Sequence, residues 1–271
     1  MAKHVKLATA LTVAGSDSGG GAGVQADLKT FHALGVHGVC GLTCVTAQNP
    51  QAVSGVQAVS IGMIKSQLDT LSQGFKIKAA KTGMLFSKSI IEVVADFFQS
   101  HPKMKLVVDP VMVSTSGVSL LKKEAVRVLV DRLFPLAHLI TPNLDEASLL
   151  LQEEINEVEK LHSAATKLYQ LYGRPVLLKG GHLKGLKEAA DIFYDGKSEL
   201  LLTAPFVRKV NTHGTGCTYS AAITAFLSQG NSIEKSVQHA KTYITGAIQN
   251  SVRVGDQWVL NWNWMRKTKK I

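Results

Sequence analysis

Short apolar runs alternate along the chain with longer stretches in which apolar residues recur at three- and four-residue spacing. The runs Ala10–Ala14, Val39–Thr46, Ala79–Thr82, Leu106–Asp109, Leu139–Thr141 and Val176–Lys179 predict strands. The longer pattern predicts helices over Val24–Leu34, Ile90–Gln99, Glu124–Phe134, Leu144–Leu151 and Val158–Tyr172. Strands that alternate with helices argue for a parallel sheet covered on both faces. Ala189–Tyr194 and Ser198–Thr203 flank Asp195-Gly196-Lys197, which predicts a hairpin. Two helices, Gly216–Ser228 and Ile233–Ser251, close the pattern. There is no internal repeat, linker or low-complexity segment, so residues 1–271 read as one α/β domain.

Composition narrows the class. Hydrophobic residues make up 45% and charged residues 18% of the 271, which excludes a disordered or fibrous chain. Met1 to His4 lead into a short apolar run, Leu7 to Ala14, and then directly into a glycine-rich loop. That run has no small-residue cleavage pattern and falls far short of the roughly 20 residues that cross a bilayer. A buried strand of a cytoplasmic protein is expected, with no membrane partner. Cys40, Cys44 and Cys217 are too few for a disulfide framework, and the first two lack a second pair of zinc ligands. The net charge of +10 is scattered apart from Arg266 to Lys270, and no basic stretch is interleaved with aromatics. Nucleic acid is therefore not an expected partner, whereas lysines facing an anionic small ligand are.

Ligands of open α/β sheets bind outside the carboxyl ends of the strands. Suspicious polar residues gather at that edge: Gly15 to Gly23, Gln48 and Asn49, Thr82 to Met84, Asp109, Asn143 and Glu146, and Lys179 to Gly181. The first glycine loop lacks the Gly-Lys-Ser/Thr of a Walker loop and the acid about 20 residues on that a dinucleotide site requires. It remains a backbone that a ligand can approach closely. Asp27, four residues past Gly23, reads either as a helix-dipole acid or as a hydrogen-bond partner for a ligand hydroxyl. A second loop, Asn211-Thr212-His213-Gly214-Thr215-Gly216-Cys217, opens an apolar helix. Glycines at a helix start expose backbone N–H groups that cradle anions, which is what a transferring phosphoryl group needs. Cys217 reads equally as a buried helix cysteine or as a thiol whose pKa is lowered by the helix start.

The stretches Ala14–Phe31, Ala47–Asn49, Lys81–Leu85, Val107–Met112, Ile140–Ala147, Leu178–His182 and Asn211–Cys217 occur in one order over nearly the whole chain. Together they resemble the ribokinase superfamily and, within it, the hydroxymethylpyrimidine/phosphomethylpyrimidine kinases of thiamine biosynthesis. The resemblance implies a three-layer α/β/α fold with a mostly parallel central sheet, ATP and Mg²⁺ as cofactors, and a homodimer. It implies that Gly15, Asp27, Gln48 and Met84 line the substrate pocket. A glutamine amide both donates and accepts, which suits an aminopyrimidine edge. Asp109 and Glu146 would serve the Mg²⁺–phosphate region, supported by Asn143, and Lys179 would neutralise ATP phosphates. Thr212, His213, Gly214, Thr215 and Gly216 would form the anion hole and its nucleotide contacts. Cys217 stands where most sugar-kinase relatives carry an aspartate base, and would activate or orient the substrate hydroxyl.

The chain departs from that pattern after about residue 255, where three tryptophans (Trp258, Trp262 and Trp264) replace a glycine- and histidine-containing segment. The implied reaction is phosphorylation of the hydroxymethylpyrimidine and then of its monophosphate. Pyridoxal or pyridoxine kinase is the nearest rival, because those substrates are also hydroxymethyl heteroaromatics. A silent pyrimidine-binding regulator would lack the phosphate and metal groups that are present here. A cysteine hydrolase built on Cys217 and His213 has no orienting third residue.

Overall fold

Nine strands form a single sheet in the order β3-β2-β1-β4-β5-β6-β7-β8-β9. A computed structural model describes residues 6–112, 121, 123–157, 159–181, 188–207 and 213–265. The strands are β1 (Ala8–Ser16), β2 (Val36–Gln48), β3 (Val53–Ala58), β4 (Ile77–Thr82), β5 (Lys105–Val108), β6 (Leu139–Ile140), β7 (Val176–Lys179), β8 (Glu188–Tyr194) and β9 (Glu199–Pro205). β2, β1, β4, β5, β6 and β7 run parallel. β3, β8 and β9 pair antiparallel at the two edges.

Helices cover both faces, so the central strands are buried on both sides. Alternate residues of each strand face opposite layers. Leu11, Val13 and Ala80 pack with Ile64, Leu68, Ile90 and Val94 of α2 (Ile61–Gly74) and α3 (Lys88–Gln99). Val176 and Leu178 pack on α6 (Glu159–Tyr172), beyond α4 (Lys123–Val128) and α5 (Leu144–Leu151). On the other face Ala79, Val107, Leu177 and Phe193 meet α7 (Thr215–Ser228) and α8 (Ile233–Gln249). Beside them Ala10 packs with Phe31 of α1 (Gly23–Ala33) and with Ala221 and Ala225 of α7. This is the expected α/β/α architecture.

The structure differs from the sequence pattern at three places. The helix expected over Glu124–Phe134 passes from α4 into a π turn, Leu129–Leu133, and then a 3₁₀ turn, Phe134–Leu136, whose Pro135 lacks the N–H that would continue it. α2 and β3 fill the interval 53–74, for which the pattern predicts no element. After α8 the chain forms a small hairpin, β10 (Val252–Val254) with β11 (Gln257–Val259). Among the described residues no helix is long and apolar enough to cross a membrane. Val158, His182 and the tail from Arg266 lie outside the described residues.

Candidate active site

At the carboxyl edge of the parallel strands lies a cavity of about 800 Å³. Both glycine loops contribute to its wall. The first is organised by Asp17, whose carboxylate accepts N–H bonds from Gly19 at 2.8 Å, Gly21 at 3.0 Å and Ala22 at 2.7 Å. The same carboxylate takes a fourth bond, 3.0 Å, from Nε2 of His213 in the second loop. Burial alone would raise the Asp17 carboxyl, but His213 and the backbone N–H groups outweigh it and hold it below its ordinary value.

The two loops also touch through their backbones. Gly214 sits at φ 80°, and a Cβ there would collide with the carbonyl oxygen of Gly21. A Cβ on Gly21 would in turn lie 2.8 Å from the His213 ring. Glycine is required at 214 on both counts, conformation and space. Gly214 caps α7, whose first intrahelical bond runs from Thr218 N–H to Gly214 carbonyl. The amides of Gly216 and Cys217 precede that bond, at the positive end of the helix dipole.

Gln48, Gly15 and Met84 line the same cavity. Gly15 has no room for a side chain, because a Cβ would lie 2.7 Å from the Cys44 sulfur. Its N–H donates to the Met84 carbonyl, which also accepts from Thr43 Oγ1. The Gln48 amide nitrogen lies 3.4 Å from His213 Nε2. With its proton given to Asp17, that ring nitrogen has no lone pair for Gln48, so the amide edge can turn to a ligand.

Asp27 departs from the expectation, for it does not reach the cavity wall. It is fully buried, accepting from Thr12 Oγ1 at 2.6 Å and from Lys81 Nζ at 2.9 Å. Thr12 and Lys81 are register partners on β1 and β4, which brings both donors under α1.

A second polar cluster lines the same cavity. Lys179 Nζ donates to Asp109 at 2.8 Å, and Asp109 also accepts from Thr141 Oγ1 and Ser220 Oγ. Burial works against the Lys179 charge, but Asp109 and Glu146 together raise the ammonium above its ordinary value. Asn143 and Glu146 form a capping box on α5: the Asn143 side chain accepts from Glu146 N–H, and Glu146 accepts from Asn143 N–H at 2.8 Å. Burial pushes the Glu146 carboxyl up to about 8, with Lys179 opposing and Asp109 adding to the rise. Among the described residues no three His, Cys, Asp or Glu side chains converge to hold a metal ion. Two buried carboxylates fit magnesium, which keeps most of its waters and takes its remaining ligands from a nucleotide.

Cys217 lines the cavity, and its sulfur accepts from Gly23 N–H. The lowered thiol pKa considered for a helix start is not found. Burial pushes the thiol up to about 11; Lys81 opposes the rise, and Asp27 and Asp109 add to it. Thr212 lies outside the described residues, while Thr215 and Gly216 sit on the wall.

The chain as a whole is similar to proteins of known type. The model of the phosphomethylpyrimidine kinase family matches residues 17–261. The chain belongs to that family. It is 45% identical to the hydroxymethylpyrimidine/phosphomethylpyrimidine kinase of Rhizobium meliloti, over 91% of this chain and 92% of that one. It is also 45% identical, over 90% of its length, to a thiamine biosynthesis bifunctional protein of Geobacter sulfurreducens, of which it spans 50%. Among solved structures, an ADP complex of Bacillus subtilis pyridoxal kinase superposes with a TM-score of 0.88 at 36% identity, covering 97% of this chain and all of that one.

Members of the phosphomethylpyrimidine kinase family thus share the scaffold with pyridoxal kinases, and sequence reasoning missed part of this chain's cavity. Asp191 and Lys241 both line it as an ion pair at 2.7 Å, with Asp191 also accepting from Gly180 N–H at 3.0 Å. The signal was present: one acid inside the apolar run of β8 and one lysine on the buried stripe of α8 are charges that need partners. Asp17 was also legible, as an aspartate followed by glycines two and four residues on, which is the pattern of a side-chain-braced turn.

Proposed function

We propose that this chain transfers the γ-phosphoryl group of ATP to the hydroxymethyl group of 4-amino-5-hydroxymethyl-2-methylpyrimidine, and then phosphorylates the monophosphate. The observation that carries the reading is one cavity in which Gln48 and Met84 stand on the wall with Cys217, the amide end of α7 and the Lys179–Asp109–Glu146 cluster. Residues 1–271 act as one kinase domain, in the cytoplasm and as a homodimer. Mg²⁺ bound to the nucleotide would be held near Asp109 and Glu146 and would spread the charge of the phosphate oxygens.

The chemistry follows from positions. Gln48 reads the amino and ring-nitrogen edge of the pyrimidine and so aims the hydroxymethyl arm at Cys217. The hydroxyl oxygen attacks the γ-phosphorus in line, and the bond from that phosphorus to the bridging oxygen of ADP breaks. The hydroxyl proton passes to the Cys217 thiolate. The transition state of phosphoryl transfer is loose, so the proton leaves late and most of the catalysis is charge stabilisation. Lys179 and the Gly216 and Cys217 amides supply that charge without reorganising.

Gln48→Ala is expected to raise KM for the pyrimidine about tenfold or more, the worth of a lost hydrogen-bonded edge, and to leave KM for ATP within twofold. Equal effects on both constants would make Gln48 a loop brace instead. The reading as a whole is tested by ADP formation with hydroxymethylpyrimidine, its monophosphate, pyridoxine and pyridoxal, each with and without Mg²⁺. Magnesium-dependent ADP with the first two is expected. ADP with the pyridoxine pair alone would overturn the substrate assignment.

A further inference from the structure

The segment after β11 is tied to the body of the protein at several points. Leu260 is buried, and Asn261 N–H donates to the Ala247 carbonyl at 3.1 Å. The Trp262 carbonyl accepts from Tyr243 OH at 2.8 Å, and its indole Nε1 donates to Thr218 Oγ1 at 3.1 Å. Trp264 Nε1 donates to the Tyr243 carbonyl at 3.0 Å, and its ring lies where a Cβ on Gly246 would stand. These bonds hold the Trp262 ring against Thr218 in the first turn of α7.

Lys29 of α1 connects that ring to the first glycine loop. Its ammonium lies 4.4 Å from the Trp262 ring centroid and donates to the Gly20 carbonyl at 2.6 Å. Gly20 is at φ 71° and donates its own N–H to the Asp17 carbonyl at 2.9 Å. A loop with glycines at 19, 20, 21 and 23 has many backbone conformations to lose when a ligand binds. Asp17 braces its N–H groups, while the Gly20 carbonyl accepts from Lys29 in an exposed bond, where water competes with any donor. Seating the cation on a fixed aromatic face lets one side chain hold that carbonyl in place.

We propose that Lys29 and Trp262 are positioning residues, a strap from the C-terminal segment that holds the first glycine loop in its substrate-binding conformation. The strap rests on the reading that this loop borders the hydroxymethyl-heterocycle pocket. It acts by preorganisation, so its loss appears as weaker binding of that substrate and not of the nucleotide. It also gives the tryptophan-rich segment a role, since Trp262 is bonded to α7 and reaches the loop through Lys29.

The test compares Lys29→Met, Lys29→Arg, Trp262→Phe, Trp262→Leu and the double variant Lys29→Met/Trp262→Leu. KM for the hydroxymethyl heterocycle, KM for ATP and the thermal midpoint are measured for each. Lys29→Met is expected to raise the heterocycle KM by about three- to tenfold, the size of one cation–π contact with its hydrogen bond, with ATP KM and kcat within twofold. Arginine at 29 and phenylalanine at 262 keep a cation over a ring and should restore most of the affinity. The double variant should be no worse than Trp262→Leu alone, because the two act in series. Additive losses, equal losses on both substrates, or no rescue by arginine would overturn the strap. Lys29 is on the surface, so its variants remain informative if Trp262→Leu fails to fold. The constants are read on whichever heterocycle yields ADP with the unaltered enzyme, so a wrong pyrimidine assignment shows there and a wrong strap shows only in the variants.

Discussion

Cys217→Ala is expected to lower kcat by about 10²- to 10⁴-fold, the usual worth of a positioned base, while ATP still binds within about twofold of its unaltered affinity. The two effects separate because the alanine removes only the sulfur. The amides that open α7 belong to the backbone and stay in place, as do Lys179 and Asp109. Equilibrium binding of ATP beside single-turnover phosphorylation is the measurement, and near-normal turnover would remove Cys217 from the chemistry.

The pH dependence carries the same point further. With its pKa pushed up to about 11, the thiol is almost wholly protonated at neutral pH, so the thiolate that accepts the proton is a minor form. Raising the pH populates it, and kcat/KM for the heterocycle should climb from pH 7 to 9 by up to about tenfold per unit without reaching a plateau. Cys217→Asp replaces the thiol with a carboxylate that is ionised earlier, and its profile should lose the climb. An unaltered profile in that variant would assign the proton to a phosphate oxygen instead. This contrasts with the lowered pKa that a helix start suggests. The dipole of α7 acts over its first turn, but desolvation of the sulfur is the larger effect.

The parts of the fold that the sequence makes legible are those whose local chemistry points one way. β7 is an apolar run ended by a lysine, and β1 is a mostly apolar run that leads into a glycine loop, so burial on both faces leaves both legible. β3 is exposed along its whole length, so Val53–Ala58 carries no burial pattern to read. α2 buries only Ile64 and Leu68 fully, a stripe too thin to stand out, although Ser60 caps it through Met63 N–H. The site follows the same division. Gln48, Asp109 and Lys179 are polar residues at strand ends, where the sheet itself points them at the cavity. Asp27 is different, because which way a residue in the first turns of a helix faces depends on the register between distant strands. Thr12 opposite Lys81 is a pairing of β1 with β4, and no local pattern announces it.

That pairing sets the other large effect. Lys81→Met is expected to destabilise the fold by about 3–5 kcal/mol, because it leaves the Asp27 carboxylate buried without its counter-charge. For a chain of this size that is a fall of roughly 2–4 °C in thermal midpoint for each kcal/mol. The pair has no exposure on either side chain, so water cannot replace the lost ammonium. Burial works against the Lys81 charge, yet Asp27 holds the ammonium well above its usual range, while burial raises Asp27 and Lys81 and Thr12 oppose that rise. With Lys81 gone, the opposition falls to Thr12 and the folded carboxyl rises further. The folded state of the variant then holds its proton to higher pH than the unfolded chain does. Its deficit is therefore smallest below the unfolded carboxyl's value of about 4 and grows with pH until the raised folded value is passed. Lys81→Met/Asp27→Asn removes both charges and should recover most of the loss, with a deficit that no longer depends on pH. Urea unfolding at pH 4.5 and pH 8 separates the cases. A pH-independent deficit in the single variant would mean that the lysine's stem, and not its charge, is what β4 needs beneath α1.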